Sequence, residues 1–553
     1  MKKFRGTPAS PGAAIAPAWL FAPSALEIPD EPPSDLDKEV AVLHDAAGAV
    51  ADDLDTRAEK ADGELSEILG AQAMMARDPE MLEDAERAIR EHQRPAARAV
   101  IDAGETYAQV LQQSDSEYMA ARAADVRDVC VRIARRATGA PDNPLETLNR
   151  RSVVVADDLP PADVSALDPK LVAAIATAQG SRTSHTAIVA RALGIPAVVG
   201  IRGLDVEAGA DVALDGDRGE VIVDPDGDVR AAVERRAAER ARRIEDLLYR
   251  ASRLPSPTHT KDGRRIEIAA NVASEPELRA ALEQGAEAVG LFRTEFLYLD
   301  RASPPTRGEQ TSVVRAMLDL LGTRRLVVRT FDFGADKPVG FLDLPAEMNP
   351  ALGVRGIRLA QLNPDLLDEQ IGAVQDAAAA GGNAAIMAPM VSTADEARWF
   401  RERIKADVEV GVMVEVPSAV LVAQELADMC HFLSIGTNDL CQYLHAADRL
   451  DGRLGAFQDP FSPALLRAVK QVCDAARGRA WVGVCGEAAG DPLWARVAVG
   501  LGATELSMGA DAILEVRVAV GETSLELCRA AAHAALGAQD AAGARRAAEK
   551  VLR

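Results

Sequence analysis

The 553-residue sequence has no closely spaced cysteine pair, no long apolar run and no basic block. Its six cysteines are scattered without a Cys-x-x-Cys spacing, which excludes a zinc knuckle or a disulfide framework and favours a reducing cytoplasm. The first residues, MKKFRGTPASPG, lack the apolar core of a secretory signal, and no stretch approaches the roughly 20 apolar residues of a membrane span. Lys and Arg number 62 against 85 Asp and Glu, a formal charge of −23, which argues against nucleic acid and anionic membranes as partners. We therefore predict a cytoplasmic protein that does not insert into membranes.

The composition that is present is typical of a soluble multidomain protein, with 48% hydrophobic and 27% charged residues. Short strand patterns occupy residues 1–28 and return from SVVVADDL to the hairpin-like ADVALDGDRGEVIVDPDGD. Between them the chain is rich in Ala, Glu, Asp and Arg with helical periodicity. The sequence therefore predicts a mixed α/β domain from residues 1–28 and 145–225, interrupted by an all-helical insertion at residues 29–144.

The second half of the chain alternates strand and helix patterns. A charged helix and the proline-stiffened LPSPTHT form a predicted linker over residues 226–260, with a boundary near 255. Eight apolar runs then follow, each separated by a helical pattern: IEIAANV, AVGLFRTEF, RLVVRTFDF, AAIMAPMV, VEVGVMVEV, HFLSIGTNDL, AWVGVCGE and TELSMG. Eight such units over residues 261–553 are typical of a (β/α)8 TIM barrel, whose active site lies at the carboxyl ends of its strands.

Polar side chains follow the predicted strands at that end of the barrel. They are Arg293, Arg329, Glu415, Asn438, Asp439, Cys485 and Glu487. Taken singly, each is equally well explained as a surface charge or part of a salt bridge at the barrel rim. A rim network does not explain, however, why apolar strands repeatedly terminate in such residues at one end.

These residue types indicate a phosphorylated ligand and a hard metal ion. Carboxylates from adjacent strands, Glu415 and Asp439, suit Mg²⁺ that keeps waters and meets a phosphate. Arg293 and Arg329 can grip phosphate oxygens bidentately, and Arg449 adds positive charge beyond the sixth strand. We therefore expect a small, doubly anionic ligand and phosphoryl transfer, which requires mainly positioning and charge neutralisation.

A single histidine stands before an apolar helical pattern in GSRTSHTAIVARALGIPAVVG, residues 180–200. Thr183 and Ser184 are good N-cap types, and a helix N-terminus favours neutral imidazole over imidazolium while attracting an anion. His185 is therefore a candidate nucleophile for a phosphoryl group. The plainer explanation is a helix cap or a half-buried side chain without chemical function.

Seven segments taken in order resemble enzyme I of the bacterial phosphotransferase system, the phosphoenolpyruvate-protein phosphotransferases. They are GSRTSHTAIVARALGIPAVVG, GLFRTEFLYLDR, VVRTFDFGADKP, EMNPALGVRGIR, GVMVEVPSA, SIGTNDLCQY and VCGEAAGD. The resemblance runs from GTPASPG at residue 6 to the last barrel strand. It implies that phosphoenolpyruvate (PEP) phosphorylates His185 with release of pyruvate, and that a histidine of the carrier protein HPr then receives the phosphoryl group at the start of sugar uptake.

The resemblance also implies roles for individual positions. Glu415 and Asp439 match the family's magnesium ligands. The matched substrate clamp comprises Arg293, Arg329, Asn438, Asp439 and Arg449, with Arg355 and Lys337 nearby. Cys485 matches the group that protonates the enolpyruvate carbon, and an unperturbed thiol with a pKa of ~8.5 holds its proton at neutral pH. The alternative for Cys485 is a small buried core residue.

The helical insertion contains RAADVRDV, which resembles the segment that docks HPr. Asp125 is then expected to hydrogen-bond His185 in the resting state, with Asp128 a weaker candidate and Thr183 and Ser184 as supporting neighbours. The alternative is a solvated charged helix face. The resemblance further implies a homodimer formed through the barrel, and transfer implies that the histidine domain swings towards the barrel and away again.

Two other functions remain possible from the sequence. A pyruvate phosphate dikinase or PEP synthase uses a similar histidine and barrel but needs a large nucleotide-binding domain first, whereas this chain begins its histidine domain near residue 6 and has no GxxxxGK[ST] motif. A non-catalytic regulatory relative would not need His185, Glu415 and Asp439. The HPr paralogue and the downstream sugars stay open, and the lack of a sensory domain before residue 6 favours the sugar branch over the nitrogen branch.

Overall fold

A computed structural model describes the chain in two compact units, Met1–Ile244 and Glu245–Arg553. The division falls inside the helix Gly227–Ser252, which covers only part of residues 226–260. The assignment of residues 226–260 as a linker stays a prediction. The description covers residues 1–553 except 22–30, 61–63, 113–116, 141–144, 146–147, 165–166, 182–183, 299–300, 302, 335–338, 343, 346, 406–407 and 450, and except the side chains of 59–60, 64–68, 117–122, 124, 161–162, 185, 188, 192 and 452. Within these ranges, no helix combines the length and the apolar character needed to cross a membrane.

The first unit is built on an eight-stranded mixed sheet in the order β1-β8-β7-β3-β4-β5-β6-β2. Its strands are β1 Lys2–Arg5, β2 Thr7–Ser10, β3 Ala13–Phe21, β4 Ser152–Ala156, β5 Val172–Thr177, β6 Ala197–Val199, β7 Asp211–Asp215 and β8 Glu220–Val223. The neighbours β4 and β5 run parallel and are buried along their whole length, as their uninterrupted apolar sequences require. The hairpin of β7 and β8 turns through Gly219 at φ 65°, where a Cβ atom would lie 2.4 Å from the Gly6 carbonyl oxygen.

A five-helix insertion interrupts this sheet between β3 and β4. Its helices are α1 Leu36–Lys60, α2 Glu64–Ala76, α3 Pro79–His92, α4 Ala96–Gln112 and α5 Glu117–Ala137. They share a separate apolar core that includes Leu43, Val50 and Ile133. A buried ion pair joins the insertion to the sheet domain, because Arg132 on α5 donates from Nη2 to Asp163 at 2.6 Å.

Three further helices belong to the described part of the sheet domain and its exit. They are α6 Pro161–Val164, α7 His185–Ala192 and α8 Gly227–Ser252. The predicted fold of this half, a mixed α/β domain with an all-helical insertion, is therefore confirmed.

The second unit is a closed barrel of eight parallel strands in the order β10-β11-β12-β13-β14-β15-β16-β9. The strands are β9 Glu267–Val272, β10 Ala288–Arg293, β11 Arg325–Arg329, β12 Asn383–Ala388, β13 Glu409–Val414, β14 Phe432–Ile435, β15 Trp481–Val484 and β16 Glu505–Met508. Each coincides with one of the eight apolar runs, although β12 begins one residue before its run, so the predicted TIM barrel is confirmed.

Helices surround this barrel and follow its strands. They are α9 Glu275–Glu283, α10 Arg307–Leu321, α11 Ile357–Leu362, α12 Pro364–Ala379, α13 Ala394–Arg403, α14 Pro417–Leu421, α15 Ala423–Met429, α16 Thr437–His445, α17 Pro463–Ala476, α18 Pro492–Leu501, α19 Ala510–Gly521, α20 Leu525–Leu536 and α21 Ala541–Leu552. Short 3-10 turns lie at Glu295–Leu297, Pro350–Leu352, Gly452–Gln458 and Glu487–Gly490.

The interior of the barrel is filled and is closed at the amino ends of the strands. Apolar side chains such as Val327, Met413 and Phe432 form its central layer. Below them Arg325 donates to Glu505 at 2.8 Å, and its guanidinium lies 3.9 Å from the centre of the Trp481 ring. The interior is therefore a packed core, and the loops at the carboxyl ends of the strands are left for a site.

Candidate active site at the barrel mouth

Two arginines end neighbouring strands at the same level. Arg293 closes β10 and Arg329 closes β11, and the two residues are register partners in the parallel ladder. The Arg329 side chain is buried and donates from Nη2 to Glu295 Oε1 at 2.8 Å, with Asp332 at 3.4 Å from Nη1. Burial alone would lower the pKa of Arg329, but the carboxylates of Glu295, Asp332 and Glu415 more than offset it and raise the pKa. The guanidinium therefore stays charged inside the barrel mouth.

A chain of alternating charges continues from this point. The carboxylate of Asp332 accepts two bonds from Arg355, at 3.1 Å from Nε and 2.7 Å from Nη2. Arg355 Nη1 also lies 3.5 Å from Asp439 Oδ1, and Arg449 Nη1 lies 3.5 Å from Asp439 Oδ2. Four of the predicted residues, Arg329, Arg355, Asp439 and Arg449, therefore lie in one network of contacts.

Glu415 follows β13 and lies 1% exposed beneath this network. Its Oε1 accepts from the Met390 amide at 2.6 Å, and Met390 adopts a left-handed φ of 57° to present that amide. Beside Oε2 stands Gly436, where a Cβ atom would lie only 2.9 Å from that oxygen. Burial first, and then the charges of Asp439 and Asp332, raise the pKa of Glu415 to about 8.

This arrangement fits a divalent cation. The charge of Asp439 disfavours ionisation of Glu415, so a shared positive ion would favour it, and the lack of a side chain at Gly436 lets that residue lie close against Glu415 Oε2. Within the described part of the chain, no group of three or more His, Cys, Asp or Glu side chains is placed to hold a metal by itself. An ion held by Glu415 and Asp439 would therefore complete its coordination with water and ligand oxygens, as Mg²⁺ does.

Cys485 follows β15 and is 4% exposed. Its amide donates to the Ile435 carbonyl at 3.1 Å, and its own carbonyl accepts from Asn271 Nδ2 at 2.9 Å. Burial raises the pKa of the Cys485 thiol to about 12, so the thiol carries its proton at neutral pH. In the first turn of α16, Asn438 accepts the Glu487 amide at 3.1 Å through Oδ1, which leaves its amide nitrogen as a donor.

The remaining barrel residues differ in their surroundings. The side chain of Arg293 is 42% exposed, with Nη2 at 3.9 Å from Glu277 and its guanidinium 5.8 Å from the centre of the Phe296 ring. It is therefore free to reorient towards a ligand more easily than the buried Arg329. Lys337 lies outside the described residues, so its predicted place beside the clamp stays a prediction.

In the first unit, His185 begins α7 and Ser184 is the N-cap residue. The Ser184 hydroxyl donates to the Ser181 carbonyl at 2.9 Å and makes no capping bond to the helix, unlike the side-chain cap that its residue type suggested. The first amides of α7 are thus left without that partner. Thr183 and the His185 side chain lie outside the described residues.

The predicted neighbour Asp125 accepts from Gln72 Nε2 on α2 at 3.1 Å through Oδ1, while Asp128 pairs with Arg132 at 3.0 Å. The proposed bond between Asp125 and His185 therefore stays a prediction. Asp128 supports the α5 helix and its link to the sheet domain.

Sequence reasoning missed the buried partners of the clamp. Glu295 and Asp332 stand inside the quoted runs GLFRTEFL and VVRTFDF, but neither was singled out. An acidic residue two or three positions after a strand-end arginine was the available signal. The contacts of Met390 and Asn271 depend on distant strands, and no local pattern indicates them.

Comparison with known proteins places this geometry in a family. Three family models match in order: PEP-utilising enzyme, N-terminal, over residues 5–122, PEP-utilising enzyme, mobile domain, over residues 148–219, and PEP-utilising enzyme, PEP-binding domain, over residues 250–525. A phosphoenolpyruvate-protein phosphotransferase of Streptomyces coelicolor is 43% identical, with 99% of each chain covered. The chain belongs to the phosphoenolpyruvate-protein phosphotransferase family.

Other members of the family are similar over most of their length. The phosphoenolpyruvate-protein phosphotransferase of Bacillus subtilis is 36% identical over 95% of each chain, and that of Haloferax volcanii is 41% identical over 87% of each chain. A solution structure described as Enzyme I (nEIt) is 36% identical, covering 43% of this chain and 99% of its own, with a TM-score of 0.37. PEP-utilising enzymes of this family are metal-dependent, which agrees with the paired carboxylates of the barrel mouth.

Proposed function

We propose that the protein transfers the phosphoryl group of PEP to His185, releases pyruvate, and passes the phosphoryl group to a histidine of the carrier protein HPr. The observation that carries this proposal is the network of arginines and carboxylates at the barrel mouth. The similarity to a protein named phosphoenolpyruvate-protein phosphotransferase, which extends over 99% of each chain, supports it. Such a network of arginines would select a phosphorylated, doubly anionic ligand, which is the ligand that the sequence predicts.

The clamp divides its work between buried and exposed arginines. Arg329 and Arg355 are held by Glu295 and Asp332, so their donors are oriented before the ligand arrives. Arg293 is more exposed and closes on the phosphate or carboxylate afterwards. Asn438, Asp439, Arg449 and Lys337 complete the proposed set of ligand contacts.

Glu415 and Asp439 would hold Mg²⁺. When bound, the ion supplies positive charge for the phosphoryl oxygens during transfer. The residues of the chain supply the geometry: Met390 fixes one oxygen of Glu415, and Arg355 and Arg449 orient Asp439.

The proposed reaction balances with His185 as the phosphoryl acceptor and the Cys485 thiol as the proton donor. A ring nitrogen of His185 attacks phosphorus, the bond from phosphorus to the enol oxygen breaks, and the enolate of pyruvate remains. The Cys485 thiol donates its proton to the enolate methylene carbon, and water then reprotonates the thiolate. A thiol whose pKa is raised to about 12 keeps its proton until this strongly basic carbon appears.

Transfer requires the histidine domain and the barrel to meet during turnover, since His185 belongs to the first unit and the clamp to the second. We assign this movement to residues 226–260, that is α8 and LPSPTHT. HPr docks on the helical insertion, where Asp125 and Asp128 lie, and a homodimer forms through the barrel. The predicted cytoplasmic location agrees with these partners.

The decisive experiment uses PEP labelled in its phosphoryl group, with Mg²⁺. We expect acid-labile label on the wild-type protein and its passage to HPr, and no label on His185→Ala. His44→Ala is the matched control, because His44 is an exposed helix histidine paired with Glu86 at 3.3 Å and should leave labelling unchanged. Wild-type protein that takes up no label, or His185→Ala protein that is labelled normally, refutes the proposal.

A further inference from the structure

The main chain at Cys485 lies just beyond the regular barrel ladder. The pairing of β15 with β16 is restricted to Gly483 with Glu505 and Val484 with Leu506. On its other side, the Cys485 amide still donates to the Ile435 carbonyl of β14 at 3.1 Å. The carbonyl of Cys485 therefore needs a partner other than the β16 backbone.

That partner is a side chain from two strands away. Asn271 lies in β9, which pairs with the far side of β16, and its Nδ2 donates to the Cys485 carbonyl at 2.9 Å. Its Oδ1 accepts from the Ser507 hydroxyl of β16 at 2.7 Å. Because the hydroxyl donates to one end of the amide and the carbonyl accepts from the other, the amide has a single satisfied orientation.

We propose that Asn271, oriented by Ser507, is a positioning residue that fixes the face of the enolate to which the Cys485 thiol delivers its proton. With its amide and carbonyl both hydrogen-bonded, the Cys485 main chain is restrained, and with it the direction of the Cα–Cβ bond. Protonation of the methylene carbon is then stereospecific. This inference rests on the proposed role of Cys485.

The test uses PEP carrying one deuterium at a defined vinyl position, with turnover in tritiated water. Addition of the third hydrogen isotope creates a chiral methyl group in pyruvate, which lactate dehydrogenase traps at once for analysis. Wild-type protein should yield predominantly one configuration. Asn271→Asp removes the donor to the Cys485 carbonyl and should yield a mixture of the two methyl configurations. Its His185 should still be phosphorylated by PEP labelled in the phosphoryl group.

Two further variants make the test specific. Ser507→Ala leaves the Asn271 amide in place but frees its orientation, and should show a smaller loss of stereospecificity; it carries the test if Asn271→Asp fails to fold. Asn363→Asp is the matched control, because Asn363 also donates to a main-chain carbonyl, that of Leu359 at 3.1 Å, but on the helical shell. It should behave like the wild type.

The outcomes separate this inference from the proposed function. Full stereospecificity in both Asn271→Asp and Ser507→Ala overturns the inference, as does a raised KM for PEP with stereospecificity retained, which would make Asn271 a ligand contact. Retained stereospecificity in Cys485→Ala removes the role of Cys485, and the inference with it. Wild-type protein that takes no label from PEP refutes the proposed function itself.

Discussion

Binding of Mg²⁺ should release a proton, because the pKa of Glu415 is raised in the metal-free protein. Its pKa is raised to about 8 by burial and by the charges of Asp439 and Asp332. At pH 7 the carboxyl should therefore be mostly protonated, and a metal ligand must be ionised, so each bound ion should displace up to about one proton. Below pH 8 the apparent affinity should fall by about tenfold per pH unit, and above pH 8 it should level off.

Isothermal titration of the protein with magnesium chloride measures this release directly. At pH 7 the observed enthalpy should differ between two buffers of unequal ionisation enthalpy, and the difference gives the number of protons. Glu415→Gln should abolish both the release and most of the binding. Glu505→Gln is the matched control, since Glu505 is also buried, with a pKa raised to about 7, but lies at the opposite end of the barrel.

Equal binding enthalpies in the two buffers, or an affinity independent of pH between 6 and 8, would refute this reasoning. Either result would mean that Glu415 is already ionised without the metal. If the proton release also disappeared in Glu505→Gln, it could not be attributed to Glu415 alone.

Three further predictions concern stability and turnover. In the metal-free protein the raised pKa of Glu415 means that the folded state binds this proton more tightly than the unfolded state does, so the stability that the proton provides at low pH is lost as the pH rises towards 8. At pH 8.5 Glu415→Gln should therefore have a higher Tm than the wild type, and equal Tm values would contradict this. Arg132→Met should cost about 3–5 kcal/mol in urea unfolding because it strands buried Asp163, and the double variant with Asp163→Asn should recover most of it; no recovery would contradict the ion-pair explanation. Gly356→Ala should lower the free energy of unfolding by more than about 1 kcal/mol and should also lower PEP turnover, because φ is +55° and the new Cβ would lie 3.0 Å from Met390 Cβ. Wild-type kinetics would contradict this.

The barrel could be read from the sequence because each of its strands is buried on both faces. Such strands appear as continuous apolar runs, and the polar residue that ends a run marks the carboxyl end, as Arg329 and Glu415 do. Contacts across the sheet could not be read in this way. The Asn271 side chain reaches a carbonyl 214 positions later, and Glu295 orients an arginine 34 positions later. Ser184 has the right residue type and position for a helix cap, yet its hydroxyl donates to the Ser181 carbonyl instead of capping the helix.

A salt-bridge network and an active site were alternatives for the strand-end charges, and the two ends of the barrel show how they differ. At the amino end, Arg325 donates to Glu505 and Glu267, lies 3.8 Å from Glu409 and stacks on Trp481, so its own chain surrounds it. Among the described residues at that end, the charge of Arg325 is therefore already shared by carboxylates of the chain.

The carboxyl end also contains ion pairs, but its charges are arranged for a guest. Among the described residues, four arginines there, Arg293, Arg329, Arg355 and Arg449, accompany four clustered carboxylates, Glu295, Asp332, Glu415 and Asp439. If these eight are ionised, their charges cancel, and Glu277 and Glu487 lie outside this count. PEP brings a phosphate of about −2 charge and a carboxylate, and a divalent cation offsets most of this. Salt bridges in the resting clamp thus keep the buried arginines charged and oriented for the ligand.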